Sequence, residues 1–277
     1  PEIILNGSHK YADGMLHDAA AAHGAAITHL DWQWNYAAGI PHWKPRKPHH
    51  GLSLVPPKSA LWLNWRGERI GPQPLVTGYD THDLVAQICR QERAYSWQLL
   101  NRKIALKELA ISGAEFNPAF RDKKRLAVAR DLVRGNRWLF DELAANSPDF
   151  LVADTLPALV EKMNALVGDD SVDLDAVSEA VTRYDRLIDL GPRFHNDDQL
   201  RRIAFARRWT GDRLRTCNAQ KIADPEAGPF VVIREFIISR KSMGGLQTDL
   251  DSRVLDGAGQ PISGLYAAGE AAGFGGG

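Results

Sequence analysis

The chain has 277 residues, of which 44% are hydrophobic and 25% charged, a composition that indicates a globular protein and excludes a disordered one. Its 34 Lys and Arg residues balance 34 Asp and Glu residues, so no nucleic-acid partner is expected. No apolar run reaches the roughly 20 residues of a membrane-spanning helix, and two cysteines are too few for a disulfide framework, so we expect a cytoplasmic protein without a membrane span.

The first part of the chain alternates between short elements and a proline-rich segment. Asp13 before Met15 predicts the start of a helix that ends at Gly24. The apolar and aromatic run 25–34 predicts a strand. Five prolines between residues 41 and 57 exclude a regular helix and predict a long ordered loop or a crossing between domains. Both chain ends look cut, so we expect an internal piece of a longer protein.

The middle of the chain is predicted to be mostly helical. Thr155 and Asp173 are placed to cap two amphipathic helices. The β-branched run 230–238 predicts a strand, and residues 264–268 predict a buried strand that leads into a glycine-rich turn. Residues 95–146 read as helix-rich, with apolar positions at helical spacing at Leu126, Ala129, Leu132 and Val133.

The strongest motif is MGGLQTD at residues 243–249, followed by PISGLYAAGEAAG at 261–273. A buried strand that ends in small residues lets a cofactor approach the backbone closely. The carboxylate of Glu270, just after that strand, can accept hydrogen bonds from ribityl or ribose hydroxyls. By spacing alone, a glycine-rich turn with nothing bound explains the pattern equally well.

These motifs resemble the C-terminal flavin motif of the family that contains fumarate reductase and succinate dehydrogenase flavoproteins and the flavin-dependent 3-ketosteroid dehydrogenases. Residues 12–15, the hairpin 61–69 and residues 180–185 resemble further elements of that family, so the resemblance covers nearly the whole chain. It implies that FAD is the cofactor. The residues that it implies beside FAD are Asp13, Gly14, Gly244, Gly245, Ala268, Gly269, Glu270 and Gly273.

The resemblance implies an α/β fold class, in which part of a Rossmann-like FAD-binding domain is interrupted by an α+β capping domain. We predict that residues 1–38 and 240–277 belong to the FAD-binding domain and that residues 39–239 form the capping, substrate-binding domain. The dinucleotide fingerprint G-x-G-x-x-G is absent from the chain. The family carries it near the N-terminus of the full protein, so we expect these residues alone to bind FAD poorly.

The implied chemistry is removal of a hydride from a CH–CH bond next to a carbonyl, with a proton moved by a side chain. Tyr79 matches the position where ketosteroid dehydrogenases carry a tyrosine and is the predicted acid/base, unless it only packs at a helix start. Its ordinary pKa is about 10, so it requires a nearby positive charge to act as a base. Arg240, at the position of a family histidine, is the second predicted catalytic residue; surface charge explains it about as well.

We therefore predict an FAD-dependent oxidoreductase that acts on CH–CH donors, with an apolar, ketosteroid-like ketone as substrate and an unidentified electron acceptor. A fumarate-reductase-like enzyme for a small unsaturated carboxylic acid stays open, although the Thr-Glu pair of those enzymes is missing near Leu52 and Ser53. A catalytically inactive flavoprotein module also stays open. No metal site is predicted, because prolines separate His42 from His49 and His50 without metal-ligand spacing.

Overall fold

The computed structural model describes residues 4–9, 11–71 and 81–273. The chain divides into two compact units. The first unit comprises residues 1–5, 36–45 and 49–238, and the second comprises residues 6–35, 46–48 and 239–277. Within the described ranges, every helix is too short or too polar to span a lipid bilayer.

Strands and helices alternate irregularly along the chain. The strands are β1 (Leu5–Asn6), β2 (Ile27–Thr28), β3 (Gln33–Pro41), β4 (Gly51–Val55), β5 (Leu61–Leu63), β6 (Tyr95–Asn101), β7 (Ala110–Ile111), β8 (Phe150–Ala153), β9 (Phe230–Ser242), β10 (Gly245–Leu246), β11 (Arg253–Leu255) and β12 (Pro261–Tyr266). The helices are α1 (Met15–Ala22), α2 (Thr81–Cys89), α3 (Arg102–Glu108), α4 (Pro118–Arg121), α5 (Arg125–Arg134), α6 (Arg137–Asn146), α7 (Leu156–Val167), α8 (Leu174–Asp189), α9 (Asp198–Ala206) and α10 (Thr210–Arg215).

A large sheet organises the first unit. Its strands follow the order β5-β6-β9-β3-β4-β7, and β1 and β8 also pair with β9. Strand β6 pairs with β9 in antiparallel fashion, from Tyr95 opposite Phe236 to Asn101 opposite Phe230. Every residue of β6 is buried, because helices and neighbouring strands cover both of its faces. This strand pair is the centre of the main hydrophobic core.

The helix caps that the sequence predicted are present. The Thr155 hydroxyl accepts a hydrogen bond from the Ala158 amide at 3.3 Å, at the start of α7. The Asp173 carboxylate accepts from the Asp175 amide at 2.8 Å, at the start of α8. The hairpin predicted at 61–69 is also confirmed, since Asn64 donates its amide to the Glu68 carbonyl at 2.7 Å.

The second unit is smaller and has its own core. Strand β10 pairs with β2, and β11 pairs with β12, both in antiparallel fashion. Helix α1 packs on these strands through Ala20, which is buried with Leu246 and Val254. Gly24 ends the helix region with a φ of 88°, as the sequence predicted.

Two sequence-based predictions of the chain path are wrong. The proline-rich segment 41–57 is not only a loop, because it contains β4, which pairs with β3 and β7. Its prolines lie at or beyond the ends of strands, where they remove no ladder hydrogen bond. The single strand predicted at 25–34 is divided into β2 and the start of β3 by a turn at His29, which has a φ of 55°.

The helical predictions for residues 95–146 are confirmed, and one prediction of a buried strand is wrong. The region contains α3 to α6, although it begins with strand β6, which its local sequence does not distinguish from a buried helix. The strand predicted to be buried at 264–268 belongs to a two-stranded hairpin, and Tyr266 is 64% exposed. The helix predicted from the spacing of Leu126, Ala129, Leu132 and Val133 is α5, although Leu126 is 89% and Val133 84% exposed.

Glu235 is a buried acid in the middle of the large sheet of the first unit. It lies on β9 opposite Ser96 and is fully buried. With the Gln98 amide oriented so that its oxygen accepts from Trp62 Nε1 (3.0 Å), its nitrogen donates to Glu235 Oε1 (3.3 Å). Burial raises the pKa of the Glu235 carboxyl well above its usual range, so folding favours the protonated acid.

We expect Glu235→Gln to remove a pH-dependent loss of stability. An unfolded glutamate titrates near pH 4.3, so the unfolded wild-type chain gains stability from ionisation above that pH while folded Glu235 keeps its proton. The free energy of unfolding of the wild type should therefore fall relative to that of Glu235→Gln as the pH rises above about 4.3. Urea unfolding at several pH values measures it, with the exposed-site variant Glu226→Gln as control. Parallel profiles for wild type and Glu235→Gln would contradict this account.

Candidate flavin site

Three backbone segments of the second unit meet at strand β10. Gly245 pairs with Thr28 on one side and forms an antiparallel bridge with Ala272 on the other. A Cβ atom on Gly245 would lie 2.5 Å from the Ala271 carbonyl oxygen, and one on Gly244 would lie 2.1 Å from the His29 carbonyl. Glycine is therefore required at both positions by the approach of the neighbouring backbone.

The glycine-rich turn follows β12 and carries the acidic residue that the sequence singled out. Glu270 lies in a single 3₁₀ turn, Gly269–Ala271, and is exposed. Its Oε1 accepts a hydrogen bond from the Ser242 amide at 3.2 Å. The Ser242 hydroxyl in turn donates to the Gly244 carbonyl at 2.9 Å. The turn is thus fastened to the end of β9 and to the MGG motif.

Helix α1 begins next to this turn. Gly14 precedes the helix with a φ of 83°, and the Asp13 carboxylate accepts from the Met15 amide at 3.1 Å. One turn later, His17 Nε2 lies 3.0 Å from the Ala271 carbonyl oxygen, which accepts from it when that nitrogen carries the proton. This contact joins the start of the helix to the glycine-rich turn.

Two glycines in this region leave their backbone open. Gly14 and Gly269, with φ values of 83° and 67°, have no heavy atom within 4 Å of the position that a Cβ would take. Their positive φ values favour glycine, but no neighbouring atom of the protein occupies the space. Open backbone beside the exposed carboxylate of Glu270 suits a ligand with a polyhydroxyl chain, because the carboxylate accepts from hydroxyls and the backbone permits close approach.

The predicted cofactor residues therefore all lie in the second unit, and the structure brings most of them into one network. Within it, Gly244, Gly245 and Gly273 have packing roles, whereas Gly14 and Gly269 face open space. His17 and Ser242 were not predicted, although each is the residue that ties the turn in place. The only sequence feature that pointed to Ser242 was its position directly before the MGG motif.

The two predicted catalytic residues have different outcomes. Tyr79 lies outside the described residues. Arg240 lies near the end of β9, in the part of that strand that belongs to the second unit. The next residue, Lys241, places its Nζ 5.8 Å from the centroid of the Trp34 ring. Because side chains alternate along a strand, Arg240 projects from the opposite face of β9.

A family profile described as "FAD binding domain" matches residues 6–277. The chain belongs to this family, and FAD is its cofactor. The sequence-based resemblance and the cofactor prediction are confirmed. Among the described residues, no group of three or more His, Cys, Asp or Glu side chains is arranged to hold a metal ion.

Relatives and solved structures agree with this assignment. A KsdD-like steroid dehydrogenase from Mycolicibacterium smegmatis is 38% identical over 278 residues, which cover 100% of this chain and 50% of the relative. The chain thus spans about half the length of the curated relatives it matches.

Two solved structures share the fold, with its mixture of helices and sheets. The 3-ketosteroid delta1-dehydrogenase from Sterolibacterium denitrificans is similar with a TM-score of 0.59 at 18% identity, over 97% of this chain and 43% of that one. The open conformation of a flavocytochrome c3 fumarate reductase is similar with a TM-score of 0.52 at 17% identity, over 98% of this chain and 36% of that one.

We expect Gly245→Ala to destabilise the second unit. The new methyl group would lie 2.5 Å from the Ala271 oxygen and the Gly273 nitrogen, so the backbone must move, at a cost of about 2 kcal/mol or more in the free energy of unfolding. Gly257→Ala is the matched control, because its Cβ meets nothing within 4 Å. Chemical denaturation of both variants measures the difference; equal stabilities would contradict the close approach.

Proposed function

We propose that the protein is an FAD-dependent dehydrogenase that removes hydrogen from a CH–CH bond next to the carbonyl of a steroid-like ketone. The observation that carries this proposal is the 38% identity, along the whole chain, to a relative named as a steroid dehydrogenase. The fold shared with a 3-ketosteroid delta1-dehydrogenase agrees with it.

The two units have different proposed roles. The second unit holds the flavin, and the first is the capping domain that binds substrate. Apart from residues 1–5 and 46–48, the unit boundaries support this division, since they fall after residues 35 and 238, within a few residues of the proposed limits 38 and 239.

The residues proposed to hold FAD are those of the network around β10. The open backbone at Gly14 and Gly269 admits the cofactor closely, and the carboxylate of Glu270 accepts hydrogen bonds from its hydroxyl groups. Ser242 and His17 orient this surface through their contacts with Glu270 and Ala271. FAD, when bound, accepts the hydride that leaves the substrate.

The protein's own part of the reaction is the transfer of a proton and the orientation of substrate. The Tyr79 oxygen, in its ionised form, is proposed to take the proton from the carbon next to the carbonyl, while the hydride leaves from the neighbouring carbon. The Arg240 guanidinium is proposed to bind the substrate oxygen and stabilise the negative charge that develops there.

The substrate class is tested by an anaerobic flavin spectrum of the full-length protein, titrated with 3-ketosteroids and simple ketones. We expect the oxidised flavin band to bleach with a saturated 3-ketosteroid, because the substrate's hydride reduces the cofactor. A flavin that stays oxidised with every ketone would contradict the proposal. Reoxidation of the chemically reduced flavin by fumarate would instead favour the reductase alternative.

We expect Tyr79→Phe to lower turnover by about a hundredfold or more while FAD stays bound, since it removes the proton-transferring group. Rapid-mixing measurement of flavin reduction gives the rate, and the absorbance spectrum gives the flavin content. Tyr184→Phe is the matched control, because the buried Tyr184 hydroxyl has no hydrogen-bond partner among the described residues. An unchanged rate of flavin reduction in Tyr79→Phe would show that another group transfers the proton.

A further inference from the structure

The first unit contains a cavity of about 620 Å³ between α3, α4, α5 and α6. Its wall is largely apolar and includes Leu109, Phe120, Val128, Leu132 and Trp138. Sites for small organic ligands typically have volumes of roughly 300 to 1,000 Å³ and apolar walls with a few polar groups. This cavity has both properties.

The apolar side chains of helix α5, which forms one wall of the cavity, are not buried in the core. It has no buried residue, although much of it is apolar. Ala127 and Val128 face the cavity, where they lack the contacts that a close-packed interior would supply. An apolar ligand in the cavity would supply those contacts.

The frame around α5 is nevertheless fixed. The Asn117 side chain donates to the carbonyl oxygens of Ile111 and Gly113, at 2.7 and 2.6 Å. At the other end, the Asn136 amide donates to the Leu106 carbonyl at 2.7 Å. The cavity therefore lies within a hydrogen-bonded frame, and its volume does not come from a loose chain end.

The acidic groups of the wall already have partners. The Glu108 carboxylate accepts from the Ser59 hydroxyl at 2.6 Å and from the Cys217 amide at 2.7 Å. The Asp131 carboxylate accepts from the Arg130 side chain at 2.9 Å. The donors to Glu108 are uncharged, whereas Asp131 forms an ion pair with Arg130.

Among the described residues, not every basic side chain that lines the cavity forms an ion pair with an acidic one. Lys124 pairs with Asp122 at 3.2 Å. Lys107 and Arg215 also line the cavity, and within the described part of the chain neither forms an ion pair with an acidic side chain. Both are exposed, so they lie where the cavity opens to solvent. The wall thus combines an apolar interior with two cations at its edge.

We propose that this cavity binds a small amphipathic carboxylate. The apolar body of the ligand fills the space beside α5, and its anionic head forms ion pairs with Lys107 and Arg215. None of the described residues proposed to hold FAD lines the cavity, and neither does Arg240. The ligand is therefore distinct from FAD, and its carboxylate distinguishes it from the ketone proposed for the redox reaction.

The apolar part of the proposal is tested by isothermal titration of the full-length, FAD-loaded protein with decanoate. We expect saturable binding of decanoate that Ala127→Phe abolishes, because the new ring fills the cavity. Ala129→Phe places the same ring on the same helix outside the cavity wall and should bind decanoate as the wild type does. Absence of saturable binding to the wild type, or equal binding by both variants, would overturn the proposal.

The charge requirement is tested with the double variant Lys107→Ala/Arg215→Ala. We expect its affinity for decanoate to fall about tenfold, the combined effect of two partly exposed ion pairs. Arg213→Ala is the control, since Arg213 is exposed on α10 and does not line the cavity. Decanol and decyltrimethylammonium should bind the wild type more weakly than decanoate does. Equal affinity for all three compounds, or an unchanged double variant, would overturn the assignment of an anionic ligand.

Discussion

The close approach of three backbone segments at β10 is the constraint on which the second unit depends. Residues 28–29, 244–245 and 271–273 are far apart in the chain, yet added Cβ atoms at Gly244, Gly245 or Gly273 would lie 2.1 to 2.9 Å from a neighbouring backbone. Once these segments meet, the position of the turn that carries Gly269 and Glu270 is set. The surface proposed for FAD is therefore a consequence of backbone packing at these three glycines.

The core of the first unit contains buried polar groups, which must find hydrogen-bond partners within the protein. Asp185 is buried and accepts from the amides of Ile222 and Ala223, both at 2.8 Å. Burial raises its pKa, and these two hydrogen bonds oppose that rise. The Asp149 carboxylate forms an ion pair with Arg234 of strand β9, at 2.7 Å. Paired groups of this kind fix the register of the loops that carry them, as unpaired apolar contacts would not.

Local chemistry was predictable from the sequence, and long-range pairing was not. The caps at Thr155 and Asp173 depend on residues within three positions, so the sequence contains the whole interaction. Strands β4 and β6 depend on partners far away in the chain, and their short apolar runs are compatible with loop or helix. The flavin motif was recognised, but the contacts of His17 and Ser242 that tie it together join segments that no local pattern connects.

The partners of Glu108 have a consequence for labelling the protein. The Cys217 amide is bound to that carboxylate, and burial, with the nearby negative charge second, raises the pKa of the Cys217 thiol to about 12. A thiol that stays protonated reacts slowly with maleimides and iodoacetamides. Of the chain's two cysteines, the exposed Cys89 then offers a selective attachment point at the end of α2. A spin label or fluorophore there would report on the helix that follows Tyr79 in the chain.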